Sequence, residues 1–276
     1  MNFGNLLVEV EAVFSRWIKK TLRRPAFLFF SLVQPVVWFL LFTQAFRSIA
    51  DIRTPIPGTS PTQFITFKDF TGTDSYLTFF SAAVIIQTVI ASAMQSGMGM
   101  VTDLESGYMD KMRVAPIRRG SILAGKVLSD GVRIVLQTAI ILLLGYLLGV
   151  TIGTGVGGLL LLFVIAMAFG IAWSGISTFI ALVTKNSEAT LMISLLTTFP
   201  LLFLSTAVMP KPLLPDWVQT VATYNPISYV ADSLHNLIIF SSIDWTTLGY
   251  AALIILGVGA VTLSATTAMF RRTVSG

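Results

Sequence analysis

Side chains able to do covalent or acid–base chemistry are scarce in these 276 residues, which contain no cysteine and one histidine, His235. Disulfides, thiolate metal sites and cysteine nucleophiles are thereby excluded, and a histidine-based metal site has little to build on. Ala172-Trp-Ser174-Gly175 approaches the GxSG pattern of an intramembrane serine protease, with Ala in place of the first Gly. Nucleophile and base must come within hydrogen-bond reach, yet His235 falls in a segment read below as external. Ser174 therefore reads as a helix-packing residue. Gly153-Thr-Gly155-Val-Gly-Gly158 spells GxGxxG, but a dinucleotide site needs a βαβ unit and an acid about 20 residues on. The first acid is Glu188. Those glycines read as an outer turn, and Gly145, Gly149, Gly153 and Gly157 suggest a small-residue packing face. GxxxxGK[ST] is missing from the sequence, so use of ATP would need another chain.

Two polar stripes remain. Lys126, Asp130, Arg133 and Gln137 share one helix face. They read either as ion pairs along that face or as contacts to an aqueous cavity or partner, because intramembrane ionisable groups rarely face lipid. Ser187, Ser194, Thr198 and Ser205 share a second face, with Gln34 and Gln44 on the first apolar run. A weakly polar lining suits a large amphipathic substrate better than an ion, which needs carboxylates or converging carbonyls. Helix–helix hydrogen bonding is the alternative reading.

The elements that position these residues follow from composition. Hydrophobic residues make up 54% and charged residues 11%, against about 25% charged in a soluble domain. A spanning helix needs roughly 20 apolar residues. Six windows qualify, about 26–46, 76–100, 128–150, 157–183, 188–209 and 247–270. The first is longer than a signal-peptide core of roughly 7–15 residues and reads as a spanning helix. Of the 18 lysines and arginines, 14 fall on the side of the N-terminus. Arg47, Arg53, Lys68 and Lys211 fall on the other. The positive-inside rule then places both termini in the cytoplasm. The net charge of +5 is an orientation signal, and nucleic acid is not an expected partner.

Residues 6–24 alternate apolar and basic positions at helical spacing, which predicts an amphipathic helix in the inner interface beside membrane lipids. The loop over 47–75 reads as a short lid or a disordered loop. Between 210 and 246 the chain is punctuated by Pro210, Pro212, Pro215, Trp217 and Asn225-Pro226. Prolines at that density exclude a simple spanning helix and predict a folded outer cap, re-entrant between the fifth and sixth spans. The cytoplasmic loop over 101–127 interleaves both charge signs, as in a docking element or a solvated connector. The expectation is an all-α, polytopic membrane protein forming a single transmembrane domain over 1–276.

Glu105, Gly107, Pro116, Arg118-Arg119, Ile122 and Gly125-Lys126 resemble the loop between the second and third spans of type-2 ABC transporter permeases. Pro200, Ser205, Pro210, Leu214, Pro215, Trp217, Asn225, Pro226, Tyr229 and Asp232 resemble that family's distal signature. Daunorubicin-type drug-resistance exporters and related sodium, polysaccharide and lipid exporters belong to it. The resemblance implies the membrane subunit of an ABC exporter in the prokaryotic cell (inner) membrane, not itself an enzyme. It further implies a homodimer with a second permease copy and two cytoplasmic ABC ATPase subunits, which would hold ATP and Mg. Coupling to the ATPase would fall to Glu105, Gly107, Tyr108, Asp110, Lys111, Arg113, Pro116, Arg118 and Arg119. The first and fifth spans would line the path, through Gln34, Gln44, Ser194, Thr198 and Ser205. The alternative is an ATP-independent secondary carrier or channel. It predicts charged ligands at the bilayer midplane, which this sequence barely offers.

Overall fold

The computed structural model describes residues 3–23, 25–51, 53–55, 64–108 and 119–275. Helices dominate: α1 (Phe3–Leu22), α2 (Pro25–Ala45), the short α3 (Phe67–Thr71), α4 (Tyr76–Glu105), α5 (Arg119–Leu147), α6 (Gly155–Thr184), α7 (Ser187–Phe203), α8 (Asp216–Tyr224), α9 (Pro226–Ile239) and α10 (Trp245–Ser275). Among the described residues, four helical stretches are long and apolar enough to cross a membrane. They are Phe67–Glu105, Gly120–Leu147, Gly155–Thr184 and Trp245–Phe270, while the apolar stretches in α2 and α7 are shorter. The all-α expectation needs one correction. Part of the loop expected to be lid-like or disordered forms an antiparallel pair, β1 (Arg53–Pro55) with β2 (Phe64–Thr66). Thr66 caps α3, its amide donating to the Asp69 carboxylate (2.6 Å) as in a capping box, with its hydroxyl donating to the same oxygen (2.8 Å).

α4 is the axis of the molecule. Its apolar window is 83% buried, against 22% for α10. An apolar surface all round is what a central helix needs, and Phe80, Val84, Ile85, Ile86, Val89 and Ala93 supply it. Small residues set the helix spacing. A Cβ on Gly97 of α4 would run into Ser177 of α6, whose hydroxyl donates to the Met94 carbonyl (3.0 Å). One on Gly175 of α6 would meet Thr262 of α10. Thr262 and Thr266 each donate to an α6 carbonyl, Ala172 and Gly175 respectively (2.8 Å each). Close approach with hydroxyl-to-carbonyl bonds replaces the hydrophobic drive that lipid removes. The glycine face expected over 145–157 does not serve this purpose. Gly149 and Gly155 are turn residues with φ of 100° and 67°, and Gly157 has open space around it. Only Gly153 packs closely, against the end of α9, where its amide donates to the Ile238 carbonyl (2.8 Å).

The fifth apolar window, expected to run to 209, is helical only to Phe203. Pro200 removes a backbone donor near its end, and polar partners from α9 take over the chain beyond. Asn225 makes that junction. Its amide nitrogen donates to the carbonyls of Leu201 (2.6 Å) and Leu204 (3.1 Å). Its oxygen accepts from the Ile227 amide (2.9 Å), capping α9 with Pro226 as the first helical residue. One side chain thus satisfies carbonyls at the end of one helix and an amide at the start of another.

Candidate functional site

The end of α4 and the start of α5 flank residues 106–118, and both are tied to α1. Asp103, 1% exposed near the end of α4, accepts from Lys20 (2.7 Å) and Arg16 (3.2 Å). The Arg16 guanidinium also stacks over Tyr108, 3.3 Å from the ring centroid, a cation–π contact. From α5, Ser121 donates to Glu9 (2.7 Å). A Cβ on Gly125 would lie 2.9 Å from the Val10 carbonyl oxygen and against Val13. That close approach is why a glycine stands there. The apolar face of α1 was expected to lie in the membrane interface, with its basic residues opposite. Of that apolar face, Val13 and Trp17 are buried in a small core with Met100, Ile122, Leu182 and Phe270, while Val8 is exposed. Arg16 and Lys20 turn inward because a buried carboxylate faces them.

Above this lies the polar stripe of α5, and ion pairing is what it does. Asp130 accepts from Lys126 (2.8 Å), Arg133 (2.8 Å) and Ser96 (2.5 Å). Lys126 also donates to Ser96, and Arg133 to the hydroxyl and carbonyl of Ser92 (3.0 and 2.8 Å). All three charged groups are buried. The serines of α4 complete the network, and sequence reading missed them because lone serines in an apolar run carry no distinctive spacing. Gln137 lies outside the network and donates to Ser31 of α2 (2.7 Å).

The expected coupling residues divide. Glu105 ends α4, exposed, and Gly107 follows with φ of 65°. Tyr108 lies under Arg16, and Arg119 starts α5. Asp110, Lys111, Arg113, Pro116 and Arg118 lie outside the described residues. The expected path residues also divide. Gln34 and Gln44 are exposed on α2, and Gln44 lines a cavity of about 520 Å³ beside the start of α4. Ser194, Thr198 and Ser205 are instead buried within the chain. Thr198 accepts from the Trp173 indole (3.2 Å) and Ser205 donates to the Leu202 carbonyl (2.6 Å). In this conformation both make intramolecular bonds, and α7 exposes Met192, Ile193, Leu196 and Thr197.

Between α7 and α10, Pro210, Asp232 and His235 border a cavity of about 560 Å³. Asp232 accepts from Thr206 (2.7 Å), and Tyr229 donates to the Thr223 carbonyl (2.9 Å). Pro200 and Trp217 are exposed and Pro215 precedes α8. His235 is stacked on Phe79 at 4.2 Å and bonded to its carbonyl (3.1 Å). A carbonyl only accepts, so that nitrogen carries the proton. Ser174 donates to the Ile171 carbonyl (2.8 Å). Serine and histidine are thus each engaged elsewhere.

Helices long and apolar enough to cross a membrane, with the stems of the 106–118 loop bonded to α1, describe a multi-pass membrane protein. Residues 8–239 match the ABC-2 type transporter family. The chain belongs to that family and is a type-2 ABC permease. It is 27% identical over 205 residues to the daunorubicin resistance ABC transporter permease protein DrrB1 of Streptomyces coeruleorubidus, covering 74% of this chain and 66% of that one. It is 28% identical over 246 residues to the putative transport permease ycf38 of Pyropia yezoensis, with coverages of 87% and 77%. Similarity to the probable multidrug ABC transporter permease YbhR of Escherichia coli (strain K12) is 27% over 202 residues, with coverages of 69% and 52%.

Proposed function

We propose that this chain is the membrane-spanning subunit of an ATP-driven exporter, paired with a second permease copy and two cytoplasmic ABC ATPases. All six apolar helices span, both termini are cytoplasmic, and the whole chain is one transmembrane domain in a prokaryotic cell membrane. The observation that carries the reading is the bracing of the inner loop. Both of its stems are bonded to α1, so displacement of the loop must move α1, α4 and α5 together. ATP and Mg belong to the partner, and Glu105, Gly107, Tyr108, Asp110, Lys111, Arg113, Pro116, Arg118 and Arg119 contact it. Binding of ATP favours one of two states of the permease pair, as alternating access requires.

The path runs between the two copies along α2 and α7. Gln34 and Gln44 face it in the conformation described, whereas Ser194, Thr198 and Ser205 reach it only after α7 turns. Its weakly polar lining suits an amphipathic substrate, and the names of two relatives, one a daunorubicin resistance permease and one a probable multidrug permease, support that class. The segment 210–246 is an outer cap that closes the mouth. The test is export from vesicles holding this chain, with and without its ATPase, at fixed ATP. Export that requires both is expected. Transport by this chain alone, indifferent to ATP, would favour the secondary-carrier reading and end this one.

A further inference from the structure

A cavity of about 120 Å³ lies where α1, α4, α5 and the start of α7 converge, its wall including Trp17, Lys20, Gln95, Arg133 and Ser187. That is well below the roughly 300 Å³ of the smallest drug-sized pockets. It fits a small group, or the head of a molecule whose remainder lies outside. The charge around it does not balance. Asp103 serves Arg16 and Lys20, and Asp130 serves Lys126 and Arg133. Four cations therefore share two carboxylates; Lys126 and Arg133 are buried, while Arg16 and Lys20 are partly exposed, so the Lys20 side of the cavity is the one open to a further anion. The Trp17 ring, 4.6 Å from Lys20 and 5.3 Å from Lys126, eases the imbalance without supplying an anion. Ser187 is the first residue of the 17-residue α7, whose amino end carries the positive pole of the helix, offset in part by Glu188 in the same turn and by the Asn186 cap. The amide oxygen of Gln95 is buried with no hydrogen-bond partner. Turned over, that amide offers an N–H to an acceptor.

We infer that this cavity binds the phosphate of an anionic phospholipid from the inner leaflet. The level of the cavity rests on the orientation proposed above. Anionic lipid is concentrated in the cytoplasmic leaflet. Trp17 and Met98 of the cavity wall supply apolar surface beside the cations, against which the start of an acyl chain can lie.

The test uses the full chain in nanodiscs of phosphatidylcholine with or without phosphatidylglycerol, retained lipid being counted by native mass spectrometry. The wild type retains phosphatidylglycerol in preference to phosphatidylcholine. Lys20→Gln weakens that retention about fivefold, the share of one cation near the surface. Gln95→Glu sets a carboxylate in the cavity and abolishes the preference, with folding of both variants verified by circular dichroism. Arg272→Gln, at the end of α10, leaves it intact. Equal retention in all four proteins overturns the proposal, as does an equal loss in the Arg272 variant, which would indicate general surface attraction. Inorganic phosphate added to phosphatidylcholine discs should neither bind nor compete. If it matches phosphatidylglycerol, a soluble anion occupies the cavity and the lipid assignment is wrong. Binding is read without ATPase or transport, so failure here leaves the export reading to its own experiment.

Discussion

At the scale of single residues, two buried carboxylates with similar pairings should behave differently. Asp130 neutralises Lys126 and Arg133, which are 3% and 8% exposed. Asp130→Asn strands two cations away from water, and breaking such a network costs about 3–5 kcal/mol. Asp103 holds Arg16 and Lys20, which are 33% and 23% exposed and can turn to solvent. Asp103→Asn should cost nearer 1 kcal/mol. Thermal unfolding in detergent ranks the pair, and equal losses would contradict the burial argument. A second comparison isolates Asn225. Asn225→Ala removes a cap and leaves the Leu201 and Leu204 carbonyls unpaired, a loss of about 1–3 kcal/mol. Asn225→Asp keeps the capping acceptor but sets a carboxylate against those carbonyls, and should cost more than alanine despite being the better cap. The same unfolding assay decides, and an aspartate variant as stable as wild type would refute the assigned amide orientation. The Asn225-Pro226 turn was legible in sequence, because that pair marks a helix start. The carbonyls it caps were not, since they lie more than 20 residues away and no periodicity encodes the pairing.

At the scale of helices, glycines separate packing from mere presence. Gly97→Ala drives a methyl group into Ser177, and overpacking of that kind costs about 1–3 kcal/mol. Gly257→Ala, in α10 with nothing within 4 Å, should be neutral or gain up to about 1 kcal/mol from helix propensity. Unfolding of the two variants tests whether α4 and α6 meet where the structure has them. The apolar helices could be read from sequence because hydropathy over 20-residue windows is a strong signal. Their contacts could not, and the fourfold glycine spacing over 145–157 drew attention to a turn. Spacing alone does not distinguish a glycine needed for positive φ from one needed for close approach. The α5 stripe shows the opposite case. Its ion pairs followed from i, i+3 and i, i+4 geometry within one helix, which sequence does encode.

Across the whole molecule, α4 joins the 106–118 loop to the segment between α7 and α10, which the proposed orientation makes the inner and outer ends. Its 30 residues span about 45 Å at 1.5 Å per residue. Asp103 anchors its inner end to α1, and at its outer end the Tyr76 hydroxyl donates to the Val208 carbonyl (3.2 Å). A packed helix transmits displacement along its axis, so under the proposed mechanism movement of the loop reaches the outer cap through α4. Two lesions should then separate. Charge reversal at Glu105, Asp110 and Arg113 acts before the rod and should reduce ATPase association, measured by co-purification, with membrane insertion intact. Tyr76→Phe acts after it, keeping the ring among Phe46, Phe67, Phe79 and Phe80 while removing one hydrogen bond. Association and basal ATP hydrolysis should persist in that variant, and export per ATP hydrolysed should fall severalfold. If hydrolysis and export fall together, Tyr76 supports the fold alone and α4 is not the link. If neither changes, the outer segment moves independently of α4, and the cap must be driven instead through α9, which the turn at Gly153 and Thr154 fastens to the start of α6 by bonds to Ile238 and Leu237.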